Sequence, residues 1–365
     1  MEKHKRMRCF SFEWSVVRRK VPLKTIQQGL NIAIVGATGA VGIQMLKMLE
    51  GSSLPISQLR LLASKRSVGK KHTFKEKSII VEEATPGALE GIDIALFSAG
   101  GSVSKELASE AVQRGAVVID NTSAFRMDTE VPLVVPEVNP EALREHKGII
   151  ANPNCSTIQM AVVLEPLRQQ WGLNRVIVST YQAVSGAGHT AVKELTQQTE
   201  AVLKGEVPKT EKFPYQIAFN AIPQIDAFQD NRYTFEEMKM INETKKIMGL
   251  PELRIAATCV RVPVVVGHAE SVYIELDEEV SVEDVLCLLS NAQGVTVVDD
   301  PVHLGYPMPV DAVGKLDVFV GRIRKDPDEK KGLHLWIVSD NLLKGAAWNS
   351  VQIAEALVQF KMITT

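Results

Sequence analysis

No run in this 365-residue chain reaches the roughly 18 uncharged apolar residues that a membrane span requires. The long apolar segment from Ala256 to Ile274 is broken by Arg261, His268 and Glu270, so a membrane-spanning role is not expected. Cysteine is scarce: Cys9, Cys155, Cys259 and Cys287 stand far apart, with no CxxC pair and no histidine at metal-ligand spacing. That pattern excludes a disulfide scaffold, predicts no metal site, and favours free thiols in a reducing compartment. An excess of either charge is also missing, with 41 Lys plus Arg against 43 Asp plus Glu. Nucleic-acid binding through a broadly basic face is therefore not expected, and an anionic ligand has to be held by a few placed cations. Internal repeats and low-complexity linkers are absent as well.

The near-neutral total conceals two regions of opposite sign. Residues 1–28 carry eight basic residues against Glu2 and Glu13, which leaves 33 basic and 41 acidic residues in the remainder. This start has no apolar core of the kind a secretory signal carries. It reads either as an organelle transit segment or as an extension ahead of the fold. The expected location is the cytoplasm, with an organelle stroma as the alternative. At roughly 150 residues per domain, the rest of the chain predicts two domains, each able to bury its own core. Their expected limits are 29–154, completed by a C-terminal helix over 341–365, and 155–340.

Apolar periodicity supports that division. Strands are expected at Asn31–Val35, Gln58–Ala63, Ile79–Val81, Ile92–Ser98, Val117–Asp120 and Gly148–Asn152, with helices over Ala40–Leu49 and Val103–Arg114. Near-continuous apolar strands alternating with helices predict a doubly wound, largely parallel sheet. After a helix over Ser156–Trp171, longer strands follow at Arg175–Ala183, Ile255–Val266, Ser271–Leu276, Lys315–Arg324 and Leu333–Ser339. Their alternation predicts an antiparallel or mixed sheet with one exposed face. Lys344–Phe360 reads as an amphipathic helix.

Four local patterns carry chemistry. Gly36-Ala37-Thr38-Gly39-Ala40-Val41-Gly42 follows the first strand and opens the first helix, where glycines admit a pyrophosphate to free backbone N–H groups. Near the end of the second strand, Ser64-Lys65-Arg66-Ser67 stands where NAD-binding chains usually place an acidic residue. A guanidinium and hydroxyls there suit a 2′-phosphate and favour NADP. Cys155, in Asn152-Pro153-Asn154-Cys155-Ser156-Thr157, falls at a helix N-terminus, where the dipole is expected to lower the thiol pKa and to stabilise an oxyanion. His268, expected at a turn after the strand that ends near Val264, is a candidate proton-transfer partner, with His189 as its rival.

Together with Asn121-Thr122-Ser123-Ala124-Phe125-Arg126, Tyr181-Gln182-Ala183-Val184-Ser185-Gly186, Cys259-Val260-Arg261-Val262-Pro263 and Asp340-Asn341-Leu342, these motifs make the chain resemble the aspartate-β-semialdehyde dehydrogenases from about residue 31 to 360. The resemblance implies a Rossmann-type doubly wound parallel sheet plus an α+β catalytic and dimerisation domain with a mixed sheet. It also implies NADPH-dependent reductive dephosphorylation of L-aspartyl 4-phosphate to L-aspartate 4-semialdehyde, on the route to lysine, threonine, methionine and diaminopimelate. Under it Cys155 carries an acyl thioester, His268 is the acid/base and Gln182 orients the intermediate. Arg261 would clamp the substrate carboxylate and Glu237 its amino group, while Arg126, Asn154 and Lys239 hold the phosphate. Gly36, Thr38, Gly39, Ala40, Val41, Arg66, Ser67, Ser185, Gly186 and Asn341 would contact NADP. A homodimer or homotetramer is implied. The alternatives are an N-acetylglutamyl-phosphate reductase, against which Arg261 and Glu237 argue, and a non-catalytic NADP-binding subunit, against which the presence of Cys155, His268 and Arg261 argues.

Overall fold

Residues of β1 (Leu30–Val35) alternate between two apolar cores, which explains why this strand is apolar almost throughout. Leu30, Ile32 and Ile34 face one cluster, and Ala33 and Val35 the other. In this computed structural model, which describes residues 29–362, β1 lies inside a seven-stranded sheet. Its other strands are β2 (Ile56–Ala63), β3 (Lys71–Phe74), β4 (Lys77–Glu83), β5 (Ile94–Phe97), β6 (Val117–Asp120) and β7 (Ile149–Ala151). The order is β3-β4-β2-β1-β5-β6-β7, parallel except for the β3–β4 hairpin. Helices α1 (Ala40–Gly51) and α2 (Gly101–Gln113) cover opposite faces. The basic segment 1–28 and residues 363–365 lie outside the described residues.

The second sheet is mixed, in the order β11-β12-β13-β10-β8-β9. It combines β8 (Arg175–Gln182), β9 (Arg254–Arg261), β10 (His268–Glu275), β11 (Val295–Val297), β12 (Val318–Lys325) and β13 (Gly332–Ser339). Val176, Val178, Val272, Ile274, Leu335 and Ile337 pack one face onto α3 (Cys155–Trp171), α5 (Phe235–Met248) and α6 (Val282–Ser290). On the other face Ile177 and Tyr181 are exposed, and Tyr181 meets Trp336 at 5.4 Å between ring centroids. Two more helices, α4 (His189–Leu203) and the short α7 (Pro309–Ala312), complete this half.

β3, β11, α4, α6 and α7 lie where no element is expected, and three further differences bear on the site. No helix is expected over α5, where Met240, Ile241, Ile247 and Met248 share the buried face with Glu236, Glu237, Glu243 and Thr244, so that the apolar stripe is interrupted by carboxylates. Capping defines it instead: Thr234 and Glu237 form a capping box, and Gly249 closes the helix in a left-handed conformation. His268 opens β10 rather than sitting in a turn, where its backbone pairs with Ser339. The C-terminal helix begins with a π-helical turn, Leu343–Ala347, before α8 (Trp348–Gln359). Within that turn the buried Lys344 gives its Nζ to Glu137, Asn349 and Gln352 at 2.6, 3.0 and 2.7 Å. Val351, Ala354 and Leu357 of α8 return the chain to the core of the first sheet. Among the described residues no helix is long and apolar enough to cross a membrane.

Candidate active site

The segment 152–154 leads from β7 into α3 and is built to present Cys155. Asn154 is the N-cap: its Oδ1 accepts from the amides of Ser156 and Thr157 at 3.0 and 3.3 Å. Its Nδ2 donates to Glu236 Oε1 at 2.8 Å. Cys155, the first helical residue, lines a cavity of about 600 Å³. Gly345 of the π-helical turn passes against it, and a Cβ at 345 would fall 2.8 Å from Cys155 Cβ. The expectation of a lowered thiol pKa is overturned. Burial, then the Glu236 carboxylate, pushes the Cys155 thiol up to about 12, against the opposing pull of Arg126, Arg261 and the Ser156 amide. Desolvation outweighs the helix terminus here.

Across the cavity, the ends of β8 and β9 bring Gln182 and Arg261 side by side, paired in register. Gln182 Nε2 donates to Ser156 Oγ at 2.7 Å and to Glu236 Oε1 at 3.3 Å. Arg261 Nη1 donates to the carbonyl of Ala183 at 2.7 Å. His268 is fully buried, and its Nδ1 accepts from the Ala183 amide at 3.0 Å while Nε2 has no partner. Burial and the neighbouring Arg261 hold its pKa well below the usual 6.5, so the ring is neutral. Gly186, on the cavity wall, covers these two groups. A Cβ there would stand 3.2 Å from both Arg261 Nη1 and His268 Nε2. Neither histidine is among the residues that line the cavity: His189 is exposed at the start of α4, whereas His268 lies directly behind the lining residue Gly186.

One face of α5 organises the third wall. Glu236 lines the cavity between Asn154 and Gln182, and its Oε2 accepts from Lys239 at 3.2 Å. Lys239 also donates to Asp226 at 2.8 Å. One turn later Glu243 bonds Arg126 and the Asn154 amide, and beyond it Lys246 donates to the carbonyls of Arg126, Asp128 and Val131. Glu237 is the correction. It does not line the cavity; its oxygens accept from the amides of Thr234 at 2.7 Å and Cys259 at 3.0 Å, which makes it a cap and a tie to β9. Asn121 and Ser123 also line the cavity, as does Lys212, and none of the three was expected there. Spacing of 236, 239, 243 and 246 by three and four residues is the signal that could have drawn attention to α5.

The glycine turn fits a pyrophosphate. Gly36 has φ +92°, and a Cβ on it would meet the Ser98 carbonyl at 2.5 Å. The N-cap of α1 is Gly39, with no side-chain cap on the free amides of the first turn. Thr38 Oγ1 lies 3.2 Å from the buried Ser67 Oγ, and the exposed Arg66 sits in the same 3-10 turn. Val41, Ser185, Gly186 and Asn341 line the cavity instead, where Asn341 donates to Ser185 Oγ at 3.0 Å and accepts from the Gly267 amide at 2.8 Å. The expected cofactor residues thus fall into two groups, one at the strand ends and one beside Cys155.

Two family models match. The semialdehyde dehydrogenase NAD binding domain covers residues 31–146, and the semialdehyde dehydrogenase dimerisation domain covers 164–344. An aspartate-semialdehyde dehydrogenase of Bacillus subtilis is 66% identical over 92% of this chain and 99% of its own length. The crystal structure of aspartate semialdehyde dehydrogenase II of Vibrio cholerae complexed with ASA has a TM-score of 0.89 and 50% identity, over 91% of this chain and 99% of that one. The Candida albicans enzyme with NADP has a TM-score of 0.72 and 27% identity, over 92% of this chain and 100% of that one. With both domain models and relatives of this identity over nearly its whole length, the chain belongs to the aspartate-semialdehyde dehydrogenase family.

Proposed function

We propose that this oxidoreductase converts L-aspartyl 4-phosphate to L-aspartate 4-semialdehyde and phosphate with NADP as its cofactor. The observation that carries the reading is one cavity in which Cys155, Gln182, Arg261, Arg126 and Lys239 converge. NADPH would be held by Gly36, Thr38, Gly39, Ala40, Arg66 and Ser67 at the strand ends and by Val41, Ser185, Gly186 and Asn341 at the cavity, and when bound it supplies the hydride. Arg66 and Ser67, with no acidic residue in their turn, favour the 2′-phosphate of NADP over NAD.

Cys155 sulfur forms the bond to the acyl carbon as the bond from that carbon to the phosphate oxygen breaks, and the thiol proton passes to the departing phosphate, leaving a thioester. Phosphate departs toward Arg126, Lys239 and the remaining amide hydrogen of Asn154. Arg261 binds the α-carboxylate, for which its fork geometry is suited. The ammonium partner moves from Glu237 to Glu236, whose carboxylate faces the cavity. Gln182 orients the acyl group without adding charge. His268 acts as a neutral Nε2–H donor to the acyl oxygen as negative charge grows on it, a narrower role than acid/base.

The unit boundaries follow the same reading, with 29–154 plus 341–365 binding the cofactor and 155–340 carrying catalysis and self-association. The open face of the second sheet, around Ile177, Tyr181 and Trp336, would meet a second copy in a homodimer or homotetramer. We place the protein in the cytoplasm, where the thiols of Cys155 and Cys259 stay reduced. An N-acetylglutamyl-phosphate reductase is not favoured, given the identity of the relatives. Purified protein should oxidise aspartate semialdehyde only with NADP and phosphate together, and Cys155→Ala should lose at least about a thousandfold in rate. Activity retained in that variant rejects the mechanism.

A further inference from the structure

Glu243 is fully buried on α5, and its two oxygens hold different parts of the site. Oε1 accepts from Arg126 Nη1 at 3.1 Å, and Oε2 accepts from the backbone N–H of Asn154 at 2.6 Å. Arg126 also gives Nε to the carbonyl of Asn152 at 2.9 Å and Nη2 to that of Asn121 at 3.0 Å. Three of its five N–H groups are thereby engaged, and two remain for a ligand in the cavity that Arg126 lines. Asn154 immediately precedes Cys155 and caps its helix. A single carboxylate therefore spans the guanidinium assigned to phosphate and the turn that presents the nucleophile.

We propose that Glu243 is a positioning residue that keeps the phosphate-binding guanidinium of Arg126 in register with Cys155. The proposal rests on the reading that Arg126 binds phosphate. The chemistry of the contact specifies a carboxylate, because both partners are donors. A carboxylate accepts at both oxygens, whereas a carboxamide of the same shape accepts at one and turns its NH2 toward the other donor. The helix reinforces the hold one turn later, where Lys246 fixes the carbonyls of Arg126, Asp128 and Val131 at 2.8, 2.6 and 2.8 Å. Arg126 is thus held by side chain through Glu243 and by backbone through Lys246. Phosphate bound to its two free N–H groups is placed by the same helix face that places Glu236 against Gln182.

The test uses the full-length protein in the direction that consumes phosphate, with Glu243→Gln, Glu243→Asp, Arg126→Ala and the Glu243→Gln/Arg126→Ala double variant. Glu243→Gln should raise the KM for phosphate about tenfold, the effect of losing about one charge-assisted hydrogen bond, and leave the KM for NADP unchanged. Glu243→Asp, which keeps both acceptors one methylene shorter, should fall between it and the wild type. The double variant should raise the phosphate KM by less than the product of the two single effects, since Glu243 acts in large part through Arg126. A Glu243→Gln protein with a lowered melting temperature but an unchanged phosphate KM, beside an Arg126→Ala protein in which that KM rises, overturns the positioning role alone. An unchanged phosphate KM in Arg126→Ala overturns the Arg126 assignment, and this proposal with it. Should Glu243→Gln not fold, the phosphate KM of Glu243→Asp decides: a rise supports the proposal and no change rejects it.

Discussion

The backbone N–H of Ala183 donates to His268 Nδ1 at 3.0 Å, which assigns the proton of the neutral ring to Nε2. In the folded protein the ring stays neutral well below the usual 6.5, whereas in the unfolded chain it takes up a proton near that value. The unfolded state thus binds the extra proton, and stability falls as pH drops through about 6.5 and below. Denaturant unfolding across that range should show this loss in the wild type and a smaller one in His268→Asn. Nitrogen NMR of labelled histidine should place the pyrrole-type signal on Nε2; a pyrrole-type Nδ1 would reject the assignment.

Cys155 makes a second prediction about pH. With its thiol pushed up to about 12, the free enzyme carries almost no thiolate at neutral pH. The rate of iodoacetamide labelling at Cys155 should climb steadily with pH through the neutral and mildly alkaline range. A plateau near neutrality would mean that the helix terminus and the two arginines outweigh burial after all.

Gly186 and Gly345 are glycines for reasons of space. Gly186→Ala puts a methyl 3.2 Å from Arg261 Nη1 and from His268 Nε2 and should lower kcat/KM by about 10–100-fold, with the melting temperature nearly unchanged. Gly345→Ala sets a methyl 2.8 Å from Cys155 Cβ and should both destabilise the fold, by about 1–3 kcal/mol, and displace Cys155. Steady-state kinetics paired with thermal melts separate the two effects.

Neighbouring glutamates on α5 should behave oppositely. Glu237→Gln turns an amide toward one of two backbone donors and should cost about 1–3 kcal/mol of stability, with the KM for aspartate semialdehyde little changed. Glu236→Gln should raise that KM about tenfold at nearly unchanged stability, because its carboxylate faces the cavity. Equal kinetic losses in both variants would contradict the assignment of the ammonium partner to Glu236.

Much of the architecture was legible because its causes are local. The turn after β1 needs glycine at 36 for its positive φ and its close approach to Ser98, and such needs are written into the residue type itself. Asn154 ahead of Cys155 marks a helix start by the same logic. Strands buried on both faces read as apolar runs, as β1, β5 and β6 do, whereas β3, polar and mostly exposed, left no such trace. Helix α5 was not legible because its inner face mixes carboxylates with its apolar residues, and the partners of those carboxylates arrive from the N-cap of α3, β8, β9 and the segment around Arg126.

By itself the sequence determined the two-sheet fold, the place of Cys155 at a helix start and the kind of cofactor turn, since each follows from backbone needs within a few residues. Only the tertiary structure decided which of two adjacent glutamates reaches the cavity. Successive helical residues point about 100° apart, and nothing local says which direction is inward. It likewise decided the direction of the Cys155 shift, because desolvation sums over atoms that folding brings from distant parts of the chain.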